Sequence, residues 1–302
     1  MKIIKWGVIG CDEPAARLCQ EVLSRVPGSE VVAVMCRSLS RAQEYAGHLL
    51  LSRYYDDAQE LIDDTEVNAV YVPTPSSTHA TFAVMSMLAG KPVCVTTPLA
   101  ASYDDCVRIN RVSEQTGVPC FVTYYKRHLP YFQRVKELLA QHLGQILNIQ
   151  LRLGVDMKAD GGGLYDFLPH QLDILQVLFG VITHVHGFSE RCAGLDAVSA
   201  CFKFEGGALG SGSWTFSGDH LPADDCVEVT GTAGKLVFSV FGNMPIQLTT
   251  PRGVEEIAVP LPSHEMMPMM RAVVEDLQGF NICNSRSVSA TPVNWVIDRI
   301  LN

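Results

Sequence analysis

WGVIGCDEPAARLCQEVL, residues 6–23, runs from an apolar strand through Gly-x-x-Gly into a helical pattern. Dinucleotide-binding domains begin this way. Their first glycine permits a tight turn, the second lets backbone amides approach the pyrophosphate, and the third allows the helix to pack closely on the strand. Here Gly10, Asp12 and Ala15 hold those places, and Gly7 with Gly10 also fits Gly-x-x-Gly-x-Gly with Asp12 in the last slot. Asp12 is the departure. A carboxylate about 5 Å from a phosphate, at an effective dielectric near 20, is repelled by about 3 kcal/mol, enough to weaken binding about a hundredfold. Asp12 before Glu13-Pro14-Ala15 is equally a good helix N-cap, with the carboxylate accepting first-turn amides and proline tolerated just inside. The residues leave both readings open.

Downstream, short apolar runs at 3–10, 30–36, 69–74, 92–97 and 119–125 alternate with helical patterns at about 14–26, 40–50, 57–63, 78–89 and 102–115. Continuous apolar strands separated by helices predict a parallel sheet covered on both faces, the doubly wound α/β class. After Pro130 the rhythm changes. Helices at about 130–142 and 164–179 flank a strand near 145–155, and strands then follow one another at 182–189, 196–204, 207–216, 225–231, 234–240, 245–250 and 254–258. Turns such as FEGGAL and GTAGK join them, so the second half reads as α+β with an open, largely antiparallel sheet. Helical stretches at about 265–279 and 290–301 close the chain. The expected domains are 1–122 and 123–302, with the last helix packing back on the first.

The chain has 302 residues, 47% of them hydrophobic, and a formal net charge of −9. That charge argues against nucleic acid or an anionic membrane as partner, since either calls for a basic face. No run approaches the length of a membrane span, and the N-terminus reaches Asp12 and Glu13 too soon for a signal peptide. A cytoplasmic protein acting on a small molecule is the expectation. The ten cysteines include no Cys-x-x-Cys pair and read mostly as small buried hydrophobes.

At the end of the second strand, where an acid normally takes the ribose hydroxyls of NAD, stand Cys36-Arg37-Ser38. An arginine with a hydroxyl neighbour suits a 2′-phosphate, so NADP is favoured over NAD. Asp166, His170 and Asp173 in GGGLYDFLPHQLDIL are spaced to lie along one helix face. Imidazole suits acid–base work near neutrality, although a histidine on an apolar helix also serves as a packing residue. A metal site from these three is disfavoured because no further ligand is placed. HEMMPMM at 264–270 reads as plastic packing against a cleft or partner.

Together with NAVYVPTPSSTHATFAVMSMLAGKPVCVTTPLA at 68–100, YYKRHLP at 124–130, GGGLYDFLPHQLDIL at 161–175 and VNWVIDRIL at 293–301, these features resemble the Gfo/Idh/MocA-like oxidoreductases. The resemblance runs over essentially the whole chain. It implies an N-terminal Rossmann domain, a C-terminal domain whose open sheet makes homo-oligomer contacts, and NAD(P)-dependent hydride transfer to or from sugars, polyols and related substrates. It puts cofactor contacts at Gly10, Cys11, Asp12, Arg37, Ser38, Thr74, Pro75, His79 and Thr96. His170 becomes the acid–base group and Asp166 orients it or holds a substrate hydroxyl. Lys126 and Arg127, with Thr97 and Asp173, fall on the substrate side, where the two cations either steady the substrate or pair with local carboxylates. The family's Glu-Lys-Pro falls on Thr96-Thr97-Pro98, so both charges are absent. Losing a preorganised donor of that kind costs about 10²–10³ in rate, yet biliverdin reductases, distant relatives, lack the lysine and remain reductases. The competing expectation is a non-catalytic protein that keeps the fold to bind a sugar-like ligand or a protein partner.

Overall fold

A computed structural model describes residues 2–11, 14–156, 163–192, 195–217 and 224–301. The chain divides into two compact units, Met1–Tyr125 with His264–Asn294, and Lys126–Ser263 with Trp295–Asn302.

In the first unit the order is β1 (Ile4–Ile9), α1 (Pro14–Leu23), β2 (Ser29–Met35), α2 (Leu39–His48), β3 (Arg53–Tyr55), α3 (Ala58–Asp63), β4 (Ala69–Val72), α4 (Ser76–Leu88), β5 (Val93–Val95), α5 (Tyr103–Thr116) and β6 (Cys120–Val122). The six strands are all parallel, in the order β3-β2-β1-β4-β5-β6. This is the doubly wound arrangement, and its switch point lies between β1 and β4, where the chain leaves in opposite directions and a crevice opens at the carboxyl ends. β1 is buried along most of its length because both sheet faces are covered. A Cβ at Gly7 would come within 2.6 Å of Leu61 on α3, so glycine there lets helix and strand close together. Helix starts are set locally: the Asp57 carboxylate accepts the amides of Gln59 and Glu60, and the Ser102 hydroxyl accepts that of Asp105. β3, absent from the sequence reading, is three residues long and only half-buried, too short to show an apolar period.

The second unit contains α6 (Pro130–His142), β7 (Ile146–Asp156), α7 (Leu164–Phe179), β8 (Ile182–Cys192), β9 (Leu195–Phe204), β10 (Leu209–Ser217), β11 (Asp224–Gly231), β12 (Lys235–Phe238), β13 (Ile246–Thr250) and β14 (Gly253–Ile257). Its eight-stranded sheet has the order β14-β13-β12-β11-β7-β10-β9-β8, antiparallel throughout except for β7 beside β10. Alternation puts Ile149, Leu151, Leu153 and Val155 of β7 on the buried face with Trp214, Phe216, Val227 and Phe238. α6 and α7 cover that face, as in the edge contacts of Phe132 on Phe238 and Phe179 on Phe204. The other face is a polar surface on which Phe188 is 70% exposed.

Two helices follow, α8 (Met267–Leu277) and α9 (Ser287–Leu301). The Met-rich stretch is core: Met269 and Met270, with Val273 and Val274, pack in one cluster with Trp6, Tyr71 and Phe121 of the first unit. Asn294 of α9 donates to the Ala100 carbonyl at 2.7 Å, also within that unit. Among the described residues no helix is long and apolar enough to cross a membrane.

Candidate cofactor groove and acid–base cluster

At the carboxyl ends of β1, β2 and β4 lies a cavity of about 340 Å³ lined by Gly10, Cys36, Arg37, Thr74, Pro75 and Thr78 among others. Gly10 closes β1 with φ +108°, a backbone conformation that side chains rarely adopt, and its amide donates to the Met35 carbonyl at 2.8 Å. A Cβ at Gly10 would stand 2.7 Å from the Thr74 Cγ2. Glycine is required here for the first of the reasons the motif gave. The Thr74 hydroxyl bonds that of Thr78 at 2.7 Å, which in turn donates to the Pro75 carbonyl at 2.8 Å, fixing the turn into α4. The groove therefore has what a dinucleotide needs: a switch-point crevice, a bare backbone and a basic side chain at the end of β2.

Of the other residues read as cofactor contacts, Cys11 and Ser38 lie beside this cavity and not on its lining. Cys11 is joined to Cys36 in a disulfide, with Cα atoms 5.7 Å apart, which departs from the reading of the cysteines as separate hydrophobes. The two cysteines also line a second cavity of about 200 Å³ with Arg17, Arg41, Glu44, Tyr45 and His48. The Ser38 hydroxyl bonds that of Ser40 at 2.8 Å, at the start of α2. His79 is fully buried under the groove, its ring nitrogens 2.6 Å from the Thr74 carbonyl and 3.0 Å from that of Pro98, and Thr96 lies 3.3 Å from the same ring. Burial pushes the His79 pKa down. The ring lies between the β4 turn and the β5 turn, one nitrogen facing a carbonyl of each. Thr97 is half-buried in the β5 turn. Asp12 lies outside the described residues.

The second unit assembles the remaining candidates on α7 and on the short 3-10 turn Tyr125–His128, which continues as Lys126 and Arg127 in this unit. Arg127 and Asp173, 4% and 1% exposed, form a buried ion pair. Nε reaches both carboxylate oxygens at 2.9 Å, and the terminal nitrogen adds a further contact to Oδ1. Burial pushes the Asp173 carboxyl up and the guanidinium pulls it back. Of the two roles left open for Arg127, the structure displays pairing with a carboxylate. The Arg127 carbonyl accepts from Gln133 at 2.8 Å, which fixes the turn from its other side.

His170, 8% exposed, lies one helical turn before Asp173. Burial, and then the charge of Lys126, push its pKa down to about 3, so the imidazole is neutral at physiological pH. Its ring meets the Phe241 ring edge-on at 6.4 Å between centroids, and the Lys126 Nζ stands 4.5 Å from the centre of that same ring. Asp166 has a different setting. It is exposed, and its carboxylate accepts the Gly163 amide at 2.7 Å, capping α7.

Phe241 and the residue that fixes it were not legible beforehand. The Asp225 carboxylate accepts the amides of Val240 at 3.0 Å and Gly242 at 2.8 Å as well as that of Phe241, binding the turn after β12. A turn aromatic within SVFGN, residues 239–243, carries no periodic signal. Among the described residues no group of three or more metal-ligating side chains comes together.

Residues 4–124 match the family described as an oxidoreductase family with an NAD-binding Rossmann fold, and residues 132–237 match the C-terminal domain of the same family. A curated relative, the scyllo-inositol 2-dehydrogenase (NAD(+)) of Bacillus subtilis, is 25% identical over 99% of this chain and 91% of its own. Two solved structures show the same fold at 18% identity. A levoglucosan dehydrogenase in complex with NADH and L-sorbose has a TM-score of 0.87 over 99% of this chain and 96% of its own. The biliverdin reductase of Synechocystis sp. PCC 6803, in complex with biliverdin and NADP+, has a TM-score of 0.84 over 98% and 97%. The glycine turn, the switch-point groove and these matches over both halves agree: the chain belongs to the Gfo/Idh/MocA oxidoreductase family and is an NAD(P)-binding oxidoreductase.

Proposed function

We propose that the protein interconverts a secondary alcohol and a ketone on a sugar, polyol or related small molecule, using NADP in preference to NAD. The observation that carries the chemistry is the neutral, buried His170 set beside Lys126 against Phe241. When bound, the nicotinamide takes or gives the hydride. His170 accepts the substrate hydroxyl proton in oxidation and returns it in reduction, a task for which a neutral imidazole is already in the receiving state. Lys126 meets the substrate's oxygens, the Arg127–Asp173 pair holds the turn that carries Lys126, and Asp166 fixes the start of the helix that carries His170. The relative that acts on scyllo-inositol supports the substrate class.

The NADP preference rests on Arg37 at the groove and on Arg17, Arg41 and His48 around the cavity that shares Cys36, with Glu44 the one carboxylate lining it among the described residues. Guanidinium groups suit a 2′-phosphate. The polar face of the eight-stranded sheet is the surface we assign to a homo-oligomer. There Ser199, Ser211 and Ser213 leave a low centre, and the ion pairs Arg152–Asp224 and Lys235–Glu228 supply both signs of charge for a second copy. A cytoplasmic location follows from the cofactor pool such an enzyme draws on.

Titration with NADPH and NADH, followed by cofactor fluorescence, tests the reading in wild type, Arg37→Ser and Asp12→Gly. Micromolar NADPH binding that Arg37→Ser weakens about tenfold or more supports it. A gain of about a hundredfold in Asp12→Gly identifies the carboxylate as an occupant of the phosphate site. Wild type that binds neither cofactor, or that turns over no member of a panel of scyllo-inositol, levoglucosan and linear polyols, refutes it.

A further inference from the structure

β1 and β2 run side by side as far as Ile9 and Met35, and the Gly10 amide adds one more bond to the Met35 carbonyl at 2.8 Å. Past that point the two segments part, one toward α1 and the other toward α2, while the Cys36 amide turns to the Tyr55 carbonyl of β3 at 3.1 Å. The disulfide between Cys11 and Cys36 rejoins them. It stands one residue after Gly10 and one residue before Arg37, and Gly10, Cys36 and Arg37 all line the groove of about 340 Å³.

On the function proposed above, on which this inference rests, Gly10 and Arg37 meet two phosphate groups of one cofactor, the pyrophosphate at the glycine turn and the 2′-phosphate at the guanidinium. Holding both at once requires a set spacing, and affinity is lost when that spacing is ordered only on binding. A covalent bridge between the two neighbouring residues orders it in advance. NADH lacks the 2′-phosphate and depends on the glycine turn alone, so the bridge matters less to it. The bond is also placed to open without dismantling the unit. Both sulfurs belong to a small apolar cluster with Ala42, Tyr45 and Tyr54, where thiols pack as small hydrophobes. Both cysteines line the cavity of about 200 Å³, which gives a thiol its route to them. Arg17 and Arg41 share that lining with His48 and Glu44, and guanidinium groups favour the thiolate that exchange requires.

We propose that Cys11 and Cys36 form a redox site that sets the affinity of the groove for NADPH: the disulfide form binds it tightly and the dithiol form weakly. The reductant is a dithiol. Its first thiolate attacks one cysteine sulfur, the sulfur–sulfur bond breaks, and the other cysteine leaves with the electron pair as a thiolate. The second thiol of the reductant then displaces the mixed disulfide. Two electrons pass in all: the protein pair becomes two thiols, which take up the two protons the reductant gives up, and the reductant becomes its own disulfide. An oxidised dithiol runs the transfers backwards. Because binding and redox state are linked, a cofactor that prefers the disulfide form protects that form by the same factor.

The test uses the full-length protein, brought to each state in buffers of reduced and oxidised dithiothreitol, with the state of the pair assigned by alkylation and mass spectrometry. Reduction is expected to weaken NADPH binding about tenfold by cofactor fluorescence, with NADH changed by less than about threefold, and reoxidation to restore it. Saturating NADPH is expected to raise the ratio of reduced to oxidised dithiothreitol at half-reduction by the same factor of about ten. Cys11→Ser is expected to bind NADPH in both buffers as reduced wild type does. Cys201→Ser, exposed on the second unit, is expected to respond as wild type does. Oxidised and reduced wild type that bind NADPH within about twofold of each other overturn the inference and leave the NADP reading standing. So does NADH weakened as much as NADPH, or a bond that dithiothreitol fails to open in the folded protein. Wild type that binds NADPH in neither state removes the NADP reading and this inference with it.

Discussion

Replacing Asp173 by asparagine keeps the shape of the side chain and removes its charge. Arg127 is 4% exposed and its guanidinium is turned onto both oxygens of Asp173 at 2.9 Å, so the variant leaves a buried cation facing a neutral amide. Breaking a buried pair from one side costs about 3–5 kcal/mol, whereas replacing both partners by apolar groups of similar size is often neutral. Asp173→Asn should therefore lose about 3–5 kcal/mol, and the Arg127→Met/Asp173→Leu double variant much less than the sum of its two single variants. Urea unfolding followed by tryptophan fluorescence measures this. Trp214 is buried in the same unit and donates to Gln171 at 2.5 Å on α7, so its signal follows the unit that holds the pair. Because the chain has two units, the transitions are fitted separately. A single variant within about 1 kcal/mol of wild type, or a double variant as costly as the sum, would refute the assignment of Asp173 as the neutralising partner of Arg127.

Two further outcomes follow from the same geometry. His170 has a folded pKa of about 3, below its unfolded value near 6.5, so between those values the unfolded chain holds the extra proton and stability falls as pH falls. Its share of that slope is about 1.4 kcal/mol per pH unit, and urea midpoints of wild type and His170→Gln from pH 7 to 4.5 should diverge; parallel lines would show that the imidazole is not buried neutral. Gly10→Ala forces a Cβ to 2.7 Å from Thr74 at φ +108°, costing about 1–3 kcal/mol of backbone strain and at least tenfold in NADPH affinity; a fluorescence titration within twofold of wild type would exclude Gly10 from the cofactor turn.

What the sequence disclosed and what it withheld divide along physical lines. β1, Gly10 and the alternation of strand and helix were legible because a covered parallel strand is apolar and a turn with φ near +108° calls for glycine. β3 was not, since Arg53–Tyr55 is shorter than any period. Nor was the parallel pairing of β7 with β10, because a two-residue period records which face is buried and not the direction of the neighbour. Among the site residues, His79 was placed on the cofactor by resemblance, and the structure puts it beneath the groove, joining two turns through carbonyls nineteen and five residues away. Arg127 and Asp173 are 46 residues apart, and only the closed fold makes them partners. Asp166 stood three residues after Gly163, a spacing that announces a helix cap as readily as a catalytic acid.

The bond between Cys11 and Cys36, 25 residues apart in sequence, encloses α1 and β2 in one covalent loop. Closing a loop of that size restricts the unfolded first unit by an amount equivalent to about 3 kcal/mol on a chain-entropy basis. Cytoplasmic thiols would remove that contribution from one unit alone. Reducing agent should therefore lower the melting transition of the nucleotide-binding unit and leave that of the other unit where it is, so that the state of one bond sets how firmly the first unit alone is closed.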